Sequence, residues 1–181
     1  EELRGLATVV IHNGIDLAPF RPEPGADPEA RASLGLEPAA EVVGAVGRLS
    51  AEKRIDLVLA AAARLLPARP RLHVLLVGDG PERPALERLA ASLGLRDRTH
   101  FAGLRPDAAA LYRALDVFCM PSDREGLPLA LLEALAAARP AVVTPVGGIP
   151  EVIGDPRGRG AAALVVAPGD TEGLARAIAR L

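Results

Sequence analysis

The chain has 181 residues, half of them apolar but only 2% aromatic, and a net charge of −2. That length suits one α/β domain whose core is Leu, Val and Ala packed between sheet and helices. The charge excludes a nucleic-acid binder, because a phosphate backbone calls for a basic face. The single Cys119 lies in an apolar run, so no disulfide framework exists and a reducing cytoplasm is the natural location. The apolar stretches LVLAAAA and LALLEALAAA are too short for a bilayer, which needs about 20 residues. No signal peptide opens the chain, and its start reads as a cut.

Residues 7–12, ATVVIH, read as a strand closed by the turn signal Asn13-Gly14. From Asp16 to Ala40 the sequence is rich in Pro, Gly, Ala and charge, with a short helical possibility over Pro28 to Leu34. Residues 1–40 are therefore expected to be a hinge or linker and residues 41–181 the folded domain. Strand and helix signals then alternate. EVVGAVG is a strand, Ile55 to Leu66 a helix with Ile55, Val58, Leu59 and Ala62 on one face, and LHVLLVG a strand. A helix from Glu82 to Leu93 stops at Gly94, a favourable C-terminal cap. THFAG, a short helix over Ala108 to Leu115, and DVFCM follow. Pro128 suits the first turn of the next helix, after which come AVVTP, ALVV and a helix capped by Asp170. Near-continuously apolar strands alternating with helices imply a parallel sheet covered on both faces, an α/β Rossmann-like three-layer sandwich.

Chemistry concentrates in the stretch from Pro121 to Arg139, PSDREGLPLALLEALAAAR. It sets Glu125 on a loop and Glu133 inside the following helix, with seven residues between them. In an open α/β sheet the loop after a strand's carboxyl end is where ligands bind, and a helix N-terminus there offers free N–H groups. Carboxylates on either side can accept hydrogen bonds from hydroxyls, so the combination suits a ligand bearing both phosphate and sugar. GRLSAEKRID places Arg48 and Lys53 at the end of another strand, where two cations form a diphosphate site; the plain alternative is a solvated pair of charges. Lys53 is the only lysine in the chain. VGDGPE is not a dinucleotide fingerprint, because Arg83 stands where the third glycine would be; Gly78 and Gly80 read as a tight strand-to-helix turn. Gly147, Gly148 and Glu151 form a further loop that is either a plain turn or a ligand contact. His12, His73 and His100 look scattered, Cys119 reads as core, and no D-x-D motif calls for a metal.

The E-x7-E spacing with EGLPLALLEALA, together with GRLSAEKRID, resembles the donor-binding half of GT-B-type retaining glycosyltransferases (family 4-like). That large family includes sucrose, trehalose, glycogen and lipopolysaccharide transferases. NGID, VGDGPE, FAGL, VGGIPEVI and LVVAPGD resemble the family in the same order, so the resemblance covers nearly the whole chain. It implies one half of a GT-B fold, preceded by an acceptor-binding domain that this chain lacks. It also implies a hexosyltransferase that takes sugar from a nucleoside-diphosphate sugar with retention and without metal or other cofactor. Glu133 would bind the ribose hydroxyls and Glu125 the transferred sugar. The backbone N–H groups of Gly126 and Leu127 would meet sugar or diphosphate, and Leu104 and Arg105 the base; a β-turn before Pro106 is the alternative for that last pair. The expected partners are the nucleotide-sugar and the acceptor domain, with membrane association only through the latter. Two rival readings stay open: a nucleotide-sugar epimerase or phosphorylase on the same fold, and a binding module without chemistry. The phosphorylase is disfavoured because Lys53, the only Schiff-base candidate, already has a phosphate role.

Overall fold

The computed structural model describes residues 9, 11–20, 27–154 and 162–181. Six strands form one parallel sheet: β1 (Glu41–Val46), β2 (Leu72–Val77), β3 (Thr99–Gly103), β4 (Val117–Met120), β5 (Ala141–Val143) and β6 (Leu164–Val165). Their order is β3-β2-β1-β4-β5-β6, the arrangement of a doubly wound nucleotide-binding sheet. The helices are α1 (Pro28–Ser33), α2 (Ile55–Leu65), α3 (Arg83–Ser92), α4 (Ala108–Arg113), α5 (Leu129–Ala136), α6 (Ile149–Ile153) and α7 (Thr171–Arg180).

Strand periodicity divides the core into two layers. Val43 and Ala45 of β1, Leu72, Val74 and Leu76 of β2, and Val117 and Cys119 of β4 join the layer under α2, α3 and α7. The alternate residues Val42, Leu75, Val77, Phe118 and Met120 join the opposite layer with α1, α4, α5 and α6. Gly44 is needed in β1, because a Cβ there would meet Leu115 Cδ2 at 2.4 Å and the Leu75 carbonyl at 2.9 Å. Cys119 is buried, and burial pushes its thiol pKa up, as expected of a core cysteine and not of a nucleophile.

Several expectations shift. Val9, Ile11 and His12, the described part of the expected strand over residues 7–12, are not strand. Val9 is 85% and Ile11 86% exposed, and these described residues have no neighbour in the sheet to complete a ladder. Residues 7, 8 and 10 lie outside the described residues, as do 21–26 of the expected linker. Its remainder, from Asp27 onward, is packed on the domain. Asp27 caps α1 through the Glu29 and Ala30 N–H groups, and the buried Arg31 donates to the Ala114 and Pro38 carbonyls and to Asp116 at 2.5 Å. Phe20, Leu36 and Ala40 join the α4–β4 layer. Pro128 is the cap of α5 and not its first helical residue, with Leu131 and Leu132 N–H donating to its carbonyl. Among the described residues no helix is long and apolar enough to cross a membrane.

Candidate functional site

Between β1 and β4 the chain leaves the sheet in opposite directions, toward β2 on one side and β5 on the other. The loops at their carboxyl ends part there, which is where open α/β sheets take ligands. After β1, the chain passes Gly47 and Arg48, makes a single 3-10 turn over Ala51–Lys53, and enters α2 through Arg54 in the left-handed region at φ 50°. After β4 it runs through Pro121–Pro128 into α5. The Asp123 N–H donates to the Glu52 carbonyl at 2.8 Å and ties the two loops together.

Lys53 and Glu125, expected to take different parts of a ligand, meet across this crevice. Lys53 Nζ donates to both carboxylate oxygens of Glu125, at 2.8 and 2.7 Å. The Glu125 side chain is 5% exposed and that of Lys53 26%, so the pair is sunk at its acidic end and open at its basic end. Ser122 Oγ donates to Glu125 Oε1 at 2.6 Å, and buried Thr144 donates to the Ser122 carbonyl at 2.6 Å. One neutral hydroxyl and the ammonium thus hold the carboxylate, and Thr144 in turn holds the Ser122 backbone. The pair nearly fills the crevice, leaving about 10 Å³.

Gly147 and Gly148 turn out to be backbone contacts of this same loop. A Cβ on Gly147, which sits at φ 54°, would lie 1.8 Å from the Glu125 carbonyl oxygen, and the Gly148 N–H donates to the Gly126 carbonyl at 3.0 Å. The loop after β5 therefore presses the Glu125–Gly126 backbone into place, and only glycine permits that approach. These glycines lead into α6, a five-residue helix that includes Glu151, where a loop is expected from the sequence. Glu151 on α6 is exposed and lies 3.6 Å from His12.

Beside the crevice a groove of about 560 Å³ opens over the ends of β1, β2 and β3, lined by Arg48, Gly78, Leu104 and Arg105 among others. Arg48 lines crevice and groove alike. It is exposed, and its guanidinium makes no hydrogen bond or ion pair with the described residues. The guanidinium of Arg105 is held by Asp107 at 2.8 and 2.6 Å. Gly78, at φ 126°, would bring a Cβ within 1.9 Å of the Gly47 carbonyl, so the floor where crevice and groove meet is backbone against backbone. Leu104 projects 81% exposed at the rim.

Glu133 borders neither space. It lies on α5, where its Oε2 accepts the Tyr112 hydroxyl at 2.8 Å. Tyr112 is fully buried, and burial first, then the Glu133 hydrogen bond, push its pKa far up, so the phenol stays the donor.

The histidines are not all scattered. Parallel pairing of β2 and β3 brings His73 Nδ1 to 3.0 Å from His100 Nε2, at the sheet edge opposite the crevice. No third His, Cys, Asp or Glu joins them as a metal-holding group among the described residues.

The family model for glycosyl transferases group 1 matches residues 40–181. The chain belongs to that family. It is 38% identical over 152 residues to the D-inositol 3-phosphate glycosyltransferase of Segniliparus rotundus, a match covering 81% of this chain and 33% of that protein. It is 39% identical over 151 residues to the lipopolysaccharide core biosynthesis mannosyltransferase LpsB of Rhizobium meliloti, covering 81% of this chain and 42% of that one. Among solved structures it resembles Anabaena HepE in complex with UDP and glucose, with a TM-score of 0.82 and 29% identity over 95% of this chain and 46% of HepE. It also resembles the C-terminal domain of the group 1 protein LpcC from Francisella tularensis, with a TM-score of 0.77 and 25% identity over 93% of this chain and 87% of that domain. The chain thus spans well under half the length of the curated relatives named here.

In this group 1 chain three contacts of the candidate residues were not legible in the sequence: Ser122 and the Gly147 backbone on Glu125, and Tyr112 on Glu133. Ser122 carried a weak signal, standing three residues before Glu125 where a strand ends. Tyr112 carried a stronger one, as the only tyrosine in the chain.

Proposed function

We propose that this chain is the donor-binding half of a GT-B-type retaining glycosyltransferase that takes sugar from a nucleoside-diphosphate sugar. The observation that carries this reading is the meeting of Lys53 and Glu125 across the β1–β4 crevice, beside a groove that Arg48 shares. A cation and a carboxylate side by side match a ligand whose phosphate joins its sugar. The base lies in the groove near Leu104 and Arg105, the diphosphate meets Arg48 and Lys53, the sugar meets Glu125 with the Gly126 and Leu127 N–H groups, and the ribose extends beyond the groove lining to Glu133, which accepts from its hydroxyls. Arg48 and Lys53 fill the role a metal would otherwise have, holding negative charge where it grows.

In the transfer, the bond from the sugar's anomeric carbon to the β-phosphate oxygen breaks while the acceptor oxygen bonds to that carbon from the same face. The acceptor's proton passes to the leaving phosphate, so no side chain need become a covalent nucleophile. The acceptor contacts come from the remainder of the protein, and the whole works in the cytoplasm. The HepE structures with UDP, with UDP and glucose, and with UDP-glucose support uridine as the first base to try. Calorimetric titration with uridine, guanosine and adenosine diphosphates and their sugars tests the reading. Saturable binding of one series, weakened by Lys53→Ala, is the expected result; no binding of any at millimolar ligand would refute it.

A further inference from the structure

Tyr112 packs edge-on against Phe20, with ring centroids 6.0 Å apart, and lies 5.9 Å from Phe118. A phenylalanine would fill that space equally well, so packing does not account for the hydroxyl. Burying an unpartnered hydroxyl is costly, and among the described residues this one has a single partner, Glu133 Oε2. The other carboxylate oxygen, Oε1, makes no hydrogen bond with the described residues. It is not a buried orphan either, since among the described residues no buried side-chain oxygen lacks a partner, so it reaches solvent. One oxygen of Glu133 is thus tethered inside the domain and the other left open. α5 offers no other acid, and its remaining residues are Leu and Ala.

We propose that Tyr112 is a positioning residue that sets the specificity of the nucleotide site for ribose: it anchors Glu133 by Oε2 so that Oε1 is held ready for the sugar hydroxyls. The inference rests on the assignment of Glu133 to the ribose. A glutamate free to rotate loses side-chain freedom when it takes up a ligand, whereas one already tethered has lost that freedom on folding. The tether therefore adds to the preference for ribose over deoxyribose and leaves the diphosphate contacts, which belong to Arg48 and Lys53, as they are.

The test is calorimetric titration of the parent, Tyr112→Phe, Glu133→Gln and the double variant with UDP and with 2′-deoxy-UDP. Tyr112→Phe should reduce the ratio of the two dissociation constants by roughly 3- to 10-fold. Binding of 2′-deoxy-UDP itself should hardly change, and the double variant should lose no more discrimination than Glu133→Gln alone. An unchanged ratio in Tyr112→Phe with a reduced one in Glu133→Gln would overturn the role of Tyr112 and leave the ribose assignment standing. No change in either variant would overturn both, and equal weakening toward both ligands would make Tyr112 merely structural. A second measurement needs no substitution. Because Tyr112 is the sole tyrosine, protein labelled with ¹³C at the tyrosine ζ carbon gives one resonance from it. That resonance should move on saturation with UDP and much less with 2′-deoxy-UDP; equal movement with both, or none with UDP, would overturn the proposal even if Tyr112→Phe failed to fold.

Discussion

Lys53→Ala should act on both stability and binding, and the structure separates the two effects. The substitution removes both contacts from Nζ to Glu125 and leaves a carboxylate that is 5% exposed with only the Ser122 hydroxyl on it. Breaking a fully buried ion pair from one side costs about 3–5 kcal/mol. Here Lys53 is 26% exposed, so water can reach the vacated end and the expected cost falls to about 2–3 kcal/mol. For a domain of this size that is a fall in Tm of roughly 5–10 °C, read by circular dichroism on heating. Adding Glu125→Gln to Lys53→Ala removes the stranded charge but keeps a side chain that can accept from Ser122, and should restore at least half of the lost Tm. Affinity for UDP should not recover. It should stay weaker than the parent's by roughly 1.5–3 kcal/mol, the range for hydrogen bonds to charged groups. A Lys53→Ala protein that melts with the parent, or one that Glu125→Gln destabilises further, would refute the account of the pair. Unchanged UDP binding at low salt would refute the phosphate role of Lys53.

Gly147→Ala should cost about 2–3 kcal/mol and abolish detectable UDP-sugar binding, because it combines a positive φ with a collision against the Glu125 backbone. Gly94→Ala, also at positive φ but with open space around it, should cost only about 1 kcal/mol and leave binding intact; equal effects in urea unfolding would refute the distinction. His73 and His100 both titrate below their ordinary 6.5, His73 through burial and then the charges of His100 and Arg98, against Glu37, and His100 through burial. The folded state therefore binds fewer protons than the unfolded one, and stability should be full above pH 6.5 and fall as the pH drops below it. Thermal melts from pH 7.5 to 5.5 should show that fall, and a His73→Gln, His100→Gln variant should flatten it; parallel profiles would refute the attribution. Residues 1–181 alone should bind UDP and yet form no glycoside product with donor and acceptor, since holding the acceptor in reach supplies roughly 7–11 kcal/mol of the barrier. Robust product from this chain by itself would show a complete active site within it.

Most of the domain was legible because strand and helix signals are local. The apolar runs EVVGAV, LHVLLV and VFCM are strands buried on both faces, and Ile55, Val58, Leu59 and Ala62 share the buried side of α2. Gly94 and Asp170 mark helix ends by their own backbone and side-chain chemistry. Where the reading failed, the deciding partner was absent from the local sequence. ATVVIH has strand composition, but its described residues Val9, Ile11 and His12 pair with no strand of the sheet. IPEVI is too short for a helical period to declare itself. The site shows the same division. Composition and spacing singled out Arg48, Lys53, Glu125 and Glu133, since a lone lysine and an acid in a Leu/Ala helix stand out in one dimension. Only folding brings Lys53 to Glu125 across 72 residues and Tyr112 to Glu133 across 21. Only folding sets Gly147 beneath the Glu125 backbone and His73 beside His100. Periodicity is a property of neighbours along the chain, whereas hydrogen bonds depend on separations of about 3 Å that strand order and register set. The β1–β4 switch point supplies that order here, turning a list of charged residues into a paired ammonium and carboxylate beside an open groove.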